Sequence, residues 1–263
     1  VRIRESSNRR ADYSLIAVGI LVCLAIWTYL TWGKTPEERL ITPLILPSPV
    51  EVLFAFPTLF FKRNLMEAIL YSFFRVTVSF LIAAFISVVL GLFMGCYPKV
   101  RAFFTFITVA GTYMPIAALI PITLSLFGID EAQKVAFLSM GCFFILVPTV
   151  VQIIREIDDV YLNTAYTLGA KQRHIITRVL LPMAQHKIFY AFQTVYGVGW
   201  GLIILAELVN AKNGLGHLIL TSQRRSLTED MYAVLLIIIG FAFLIDRSFT
   251  YLGKRLFPYV ERG

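Results

Sequence analysis

VTVSFLIAAFISVVLGLFMGCYP, residues 76–98, runs without a single charged side chain. A helix rises 1.5 Å per residue, so about 20 apolar residues cross a hydrocarbon core of about 30 Å. This stretch is long enough to span. Working outward from it, residues 13–33, 102–129, 135–154 and 188–206 are charge-free in the same way. A sixth stretch, 231–245, is shorter and continues past Asp246 and Arg247 to Gly253, with those two charges expected at the lipid headgroups. Residues 102–129 are too many for one straight helix and contain Pro115 and Pro121. The pattern predicts one spanning helix followed by a short broken piece near the outer surface. The expected fold class is therefore all-α integral membrane, with about six transmembrane helices.

Composition agrees. Hydrophobic residues make up 58% of the chain and charged ones 15%, against about 45–50% and 25% in soluble domains. The mean hydropathy of +0.75 excludes a disordered chain. With the N-terminus inside, fifteen Lys and Arg fall in inside segments and nine in outside ones, which predicts cytoplasmic termini. The net charge of +8 then reflects topology, and no aromatic-interleaved basic patch points to nucleic acid. Arg2, Arg4, Arg9 and Arg10 precede the first span as they would in a secretory signal. That span exceeds a signal core of about 7–15 residues, and Trp32-Gly33-Lys34-Thr35 offers no small-x-small cleavage site. The expected organisation is a cytoplasmic segment 1–12, a transmembrane domain 13–253 and a cytoplasmic tail 254–263. Cys23, Cys96 and Cys142 all lie in or at the end of apolar spans and are expected to be buried thiols, with no disulfide framework.

Two loops carry further information. The outer loop 34–64 is rich in proline, and within it Ser48-Pro49 followed by an apolar run reads as a capped short helix on the membrane surface. The inside loop 155–187 is the longest on its side. Asp158 or Asp159 can cap a helix over 160–168, and Gly169 sits where a left-handed helix stop is expected. A second helix over 171–181 carries Ile175, Ile176, Val179 and Leu180 on one side, and Pro182 is expected to end it. Two short helices hinged at a glycine make a compact docking surface.

Catalytic patterns are scarce. His174, His186 and His217 lack metal-ligand spacing, so no metal site is expected. Gly33-Lys34-Thr35 mimics the end of a phosphate-binding loop, but Thr28 stands where its first glycine belongs, and a membrane span precedes it where a strand is required. No cofactor is expected in this chain. If ATP drives it, a partner supplies the nucleotide site. Arg75 opens the second span and Glu207 closes the fifth; each reads either as a snorkelling anchor or as a pathway charge. Gln193, Tyr196 and Trp200 recur at helical spacing on the fifth span, and with Arg75, Tyr113 and Glu207 they make the candidate solute pathway. Gly197, Gly199 and Gly201 suggest that another helix packs closely there.

The inside loop resembles the EAA loop of binding-protein-dependent ABC importer permeases: Glu-Ala-Ala, three residues, Gly, nine residues, Ile, any residue, Leu-Pro. Asn163, Thr164, Ala165, Leu168, Gly169, Ala170, Leu181 and Pro182 fall on that pattern, with Val179 for isoleucine. Asn163 and Thr164 depart from the family's Glu and Ala, and His186 stands for its usual later proline. Leu46-Pro47-Ser48-Pro49-Val50-Glu51-Val52-Leu53 and the stretch from Ala206 to Ile219 are similar to segments of the branch for nitrate, sulfonates, taurine and bicarbonate. The resemblance implies a type I, MetI-like permease fold in the bacterial inner membrane, forming the path of a small anion or related solute. It also implies a homodimer of permeases, two ATP-binding subunits holding ATP and Mg, and an external solute-binding protein. A secondary transporter or channel is the competing class. That class needs titratable groups near the middle of a span, and the sequence shows none clearly there.

Overall fold

A computed structural model describes residues 9–258 apart from 34, 36 and 210, with side chains from residue 14 onward. Residues 1–8 of the expected segment 1–12 and 259–263 of the expected tail 254–263, with Lys34, Pro36 and Asn210, lie outside the described residues. The elements in chain order are α1 (Arg9–Leu30), α2 (Pro49–Lys62), α3 (Leu65–Cys96), α4 (Pro98–Tyr113), a 3₁₀ turn (Ile116–Ala118), α5 (Leu119–Phe127) and α6 (Glu131–Arg155). Then follow α7 (Asp159–Thr167), α8 (Gln172–Ile175), a π turn (Ile176–Leu180), α9 (Leu181–Leu208), α10 (Leu215–Arg224) and α11 (Thr228–Leu256).

Four continuous helices among the described residues are long and apolar enough to cross a membrane: Leu65–Cys96, Glu131–Arg155, Gln172–Leu208 and Thr228–Leu256. The bent pair Pro98–Tyr113 and Ile116–Phe127, turned by 104°, makes a fifth candidate, and the shorter apolar helix Ser14–Leu30 stands at the first expected span, residues 13–33. The break in the third span falls at Pro115, as expected. Pro121 interrupts nothing. It lies in the first turn of α5, where its missing N–H has no intrahelical partner to lose.

Two boundaries differ from the sequence reading. The second span starts at Leu65, because Arg75 sits inside the helix instead of opening it. Pro182 does not end the second loop helix, for α8, the π turn and α9 form one helix of 37 residues. In an α-helix the proline ring would clash with the carbonyl four residues back. Here the preceding turn is widened, with the Leu181 N–H bonded to the Ile176 carbonyl five residues back, and the chain continues through the proline.

By its contacts the chain divides into two compact units, one of residues up to Leu65 with Leu218–Leu236, the other of Met66–His217 with the residues from Ile237 onward. In the first unit, Ser48 and Glu51 form a capping box at the start of α2, and Pro49 occupies its first turn. Val52, Ala55 and Leu59 are buried against the unit, so only the opposite side of α2, with Val50, Leu53, Phe54 and Phe61, is exposed. Trp27 Nε1 donates to the Pro47 carbonyl at 2.8 Å, and Tyr232 donates to the Ile45 carbonyl at 3.2 Å. Arg63 pairs with Asp230 at 2.9 Å and donates to Ser222 Oγ at 2.8 Å.

Arg39 donates to both oxygens of Glu51, at 3.2 and 2.8 Å, and the Ser48 N–H donates at 2.8 Å. The Arg39 guanidinium is the largest influence holding the Glu51 carboxyl below the usual carboxylate range. A carboxyl with a depressed folded-state pKa contributes stability that is complete above its unfolded value of about 4.3 and is lost as pH falls through the folded value. Amide protection at the start of α2, relative to the intrinsic exchange rate at each pH, is therefore expected to hold steady down to about pH 4 and to fall below it, and Glu51→Gln should abolish the pH step.

In the second unit, Phe137, Leu138, Cys142, Leu146, Val147 and Val150 of α6 and Val195, Trp200 and Ile203 of α9 make the core. A close helix approach at glycines lies between α3 and α6, beside the expected one on α9. A Cβ on Gly91 or Gly95 of α3 would come within 2.7 Å of Val150 or Ile154 of α6, a small-xxx-small seam. Of the three glycines singled out on α9, only Gly199 faces a neighbour, Val76, while Gly197 and Gly201 look onto open space. Of the cysteines, only Cys142 is buried; Cys96 is half-buried and Cys23 exposed.

Candidate functional site

The loop helix α7 is built by local chemistry. Asp158 Oδ1 accepts from the Val160 N–H at 2.9 Å and starts it. Gly169, at φ +77°, stops it. The Gly169 N–H returns to the Tyr166 carbonyl at 2.9 Å and the Ala170 N–H to the Ala165 carbonyl at 3.0 Å, the paired bonds of a Schellman stop. Thr164 and Thr167 turn their hydroxyls back onto the Val160 and Asn163 carbonyls at 2.7 and 2.9 Å, leaving the rest of the surface to larger side chains. No residue of α7 is buried. Leu168, at 81% exposed, projects from its end, with Val160, Tyr161 and Tyr166 also exposed. Asn163, Thr164 and Ala165 thus lie on one exposed, firmly ended helix, with Leu168, Gly169 and Ala170 in the turn that closes it. Leu181 and Pro182 are exposed at the start of α9.

The second constellation is a buried ion cluster. Arg75 of α3 is 2% exposed, so it is not the snorkelling anchor that was one reading of it. Its Nε and Nη2 reach both oxygens of Glu131 at 2.6 and 2.7 Å, and Nη1 reaches Glu207 at 2.7 Å and the Asn213 carbonyl at 2.6 Å. Glu207 is fully buried and also accepts from Ser72 Oγ at 2.7 Å and from the Gly216 N–H at 2.7 Å. Its carboxylate therefore sits on the amino end of α10, where backbone N–H groups favour an anion. Ser72 Oγ accepts from the Leu215 N–H at 2.9 Å, and Lys134 adds a second cation beside Glu131 at 3.3 Å. Two cations and two anions close on one another across α3, α6, α9 and the start of α10. Such a cluster braces helices; its guanidinium has four of five N–H groups engaged and little left for a solute.

The remaining pathway candidates do not converge on this cluster. Tyr196 is buried and bonds Thr77 at 2.7 Å. Trp200 is fully buried and stacked on Phe241, with its Nε1 lacking an acceptor among the described residues. Gln193 donates to Asp246 and Thr250 of α11 at 2.6 and 3.1 Å, and Tyr113 is 83% exposed at the end of α4. Sequence reading missed Glu131 and Lys134. Both lie just ahead of an apolar run and looked like ordinary loop charges.

The model of the binding-protein-dependent transport system inner membrane component matches residues 87–258, well over half of the chain and all of α7. The chain belongs to this family. It is a multi-pass inner-membrane permease of an ABC importer. The permease is 27% identical to the taurine transport system permease protein TauC of Escherichia coli over 249 residues, covering 93% of this chain and 89% of that protein. It is 26% identical to the nitrate import permease protein NrtB of Synechocystis over 259 residues, covering 94% and 90%. Among solved structures, an inward-facing form of the MetNI methionine ABC transporter matches with a TM-score of 0.65 and 18% identity, over 76% of the permease and 97% of that chain. That likeness establishes the type I fold expected from the EAA-like loop.

Proposed function

We propose that this permease works as one of two copies, powered by two separate ATP-binding subunits and fed by an external solute-binding protein, and that it imports a small oxyanion-bearing solute. The observation that carries the reading is α7. It is an exposed helix presenting Val160, Tyr161 and Tyr166 and fixed at both ends, placed where a partner's motion can be passed into the long helix α9 through one glycine-stopped turn. ATP and Mg belong to the partner, since no phosphate-binding loop exists in this sequence. The taurine and nitrate names of two relatives of nearly equal identity support an anionic solute without choosing between them.

The excess of Lys and Arg puts residues 155–187 and both termini in the cytoplasm. A cysteine introduced at Lys171, in a background without Cys23, Cys96 and Cys142, is expected to resist an impermeant thiol reagent in intact cells and to react in inverted vesicles. Strong labelling in intact cells would overturn the orientation. The function itself is tested in proteoliposomes holding the permease, its ATP-binding subunit and its binding protein. Uptake of labelled taurine or nitrate should require ATP and survive dissipation of ion gradients. Gradient-driven uptake that ignores ATP would make the protein a secondary transporter instead.

A further inference from the structure

Three arginines in this structure are paired, whereas two that line the same cavities are not. Arg39, Arg63 and Arg75 each hold a carboxylate. Arg101, half-buried in the first turn of α4, and Arg155, the exposed last residue of α6, hold none, and their guanidiniums have no hydrogen-bond partner among the described residues. Both line the same two cavities. One, of about 650 Å³, is walled by Met94, Val109, Pro148 and Val151 below and by Gln152 and Glu156 beside the arginines. The other, of about 510 Å³, runs beneath α7 past Tyr97, Asp159, Leu162 and Tyr166.

Local charge is unbalanced there. Glu156, the carboxylate of the larger cavity, is occupied by Lys187 at 2.9 Å and by Gln152 at 2.9 Å. Those bonds, Lys187 first, hold its carboxyl below the usual range, so it stays charged and committed to Lys187. Asp159 faces only the smaller cavity and sets one negative charge against two positive ones. Two unpaired guanidiniums lining one cavity leave it with positive charge that favours an anion. Their planar forks match the paired oxygens of a sulfonate, sulfate or phosphate.

We infer that Arg101 and Arg155 form a binding site for a tetrahedral oxyanion between the start of α4 and the end of α6. Two sources fit this chemistry. A free anion would use the arginines alone; an anionic phospholipid would place its phosphate on them and lay an acyl chain along Met94, Val109, Pro148 and Val151. The site rests on the cavities and does not depend on which solute is transported.

The test uses the purified full-length permease with its ATP-binding subunit in nanodiscs of phosphatidylcholine, at physiological salt. Wild type is compared with the Arg101→Gln/Arg155→Gln double variant, whose melting temperature should match wild type because neither guanidinium holds a partner in the fold. In the first arm, inorganic sulfate and methanesulfonate are titrated calorimetrically. In the second, retention of phosphatidylglycerol is read by native mass spectrometry with and without excess sulfate. Saturable sulfate binding, weakened at least about tenfold in the double variant, supports a free-anion site. Phosphatidylglycerol retained by wild type against excess sulfate, and lost in the double variant, supports a lipid site. Arg101→Lys/Arg155→Lys should fall between the two, because it keeps the charge and loses the fork. If neither sulfate, methanesulfonate nor phosphatidylglycerol distinguishes wild type from the glutamine variant, the site does not exist.

Discussion

Replacing Arg75 with methionine is expected to remove most of the folded permease from the membrane. The substitution leaves Glu207, fully buried beneath Ser72 and the Gly216 N–H, without its cation. Breaking a buried pair from one side costs about 3–5 kcal/mol, a large part of a total stability of about 5–15 kcal/mol. Yield and melting temperature in mild detergent read the loss. Arg75→Met combined with Glu207→Gln should recover much of it, because the amide oxygen can still accept from Gly216 while the stranded charge is gone. The exposed side of Glu131, with Lys134 still beside it, keeps that carboxylate solvated. A single Arg75→Met protein that folds and melts like wild type but fails to transport would make Arg75 a solute ligand instead of a brace.

The second large effect concerns coupling. Gly169→Val meets no neighbouring atom, since nothing lies within 4 Å of the added Cβ, so packing does not penalise it. The backbone does. At φ +77° a side chain with a Cβ costs about 1–2 kcal/mol, and a β-branched one is among the worst. The strain falls on the two bonds that end α7, while the core between α6 and α9 is untouched. Gly169→Val is therefore expected to insert and melt normally but to retain its ATP-binding subunit less well, by a factor on the order of ten. Solute-stimulated ATP hydrolysis should fall with it. Gly169→Asn, which tolerates the left-handed region, should stay close to wild type. Equal loss in both variants would mean that the added side chain, and not the turn, is at fault.

How much of this was legible in the sequence depends on distance along the chain. The spans could be read because a charge-free run such as 76–98 has one physical meaning, and α7 could be read because Asp158 and Gly169 act within a few residues of themselves. Pro182 misled because a single π turn five residues long absorbs it, and no local pattern announces such a turn. The seam at Gly91 and Gly95 was overlooked for the triplet at Gly197, Gly199 and Gly201. Small residues show where a helix can approach and leave open whether one does. The role of Arg75 is not legible locally because its partners Glu131 and Glu207 lie 56 and 132 residues away. Nothing near Arg75 in sequence distinguishes a guanidinium that meets two carboxylates in the fold from one that reaches for the headgroups.

The central claim is that α7 is the surface through which a separate ATP-binding subunit drives this permease. It is tested most directly by placing a photo-crosslinking residue at Leu168, the 81% exposed tip of α7, and another at Trp32, which is 74% exposed in the loop after α1. Both proteins are expressed with the ATP-binding subunit and irradiated in membranes. The ATP-binding subunit should be captured from position 168 and not from position 32, and capture should weaken when Gly169→Val is added. Capture from position 32 alone, or none from position 168 in membranes whose uptake is driven by ATP, would contradict it.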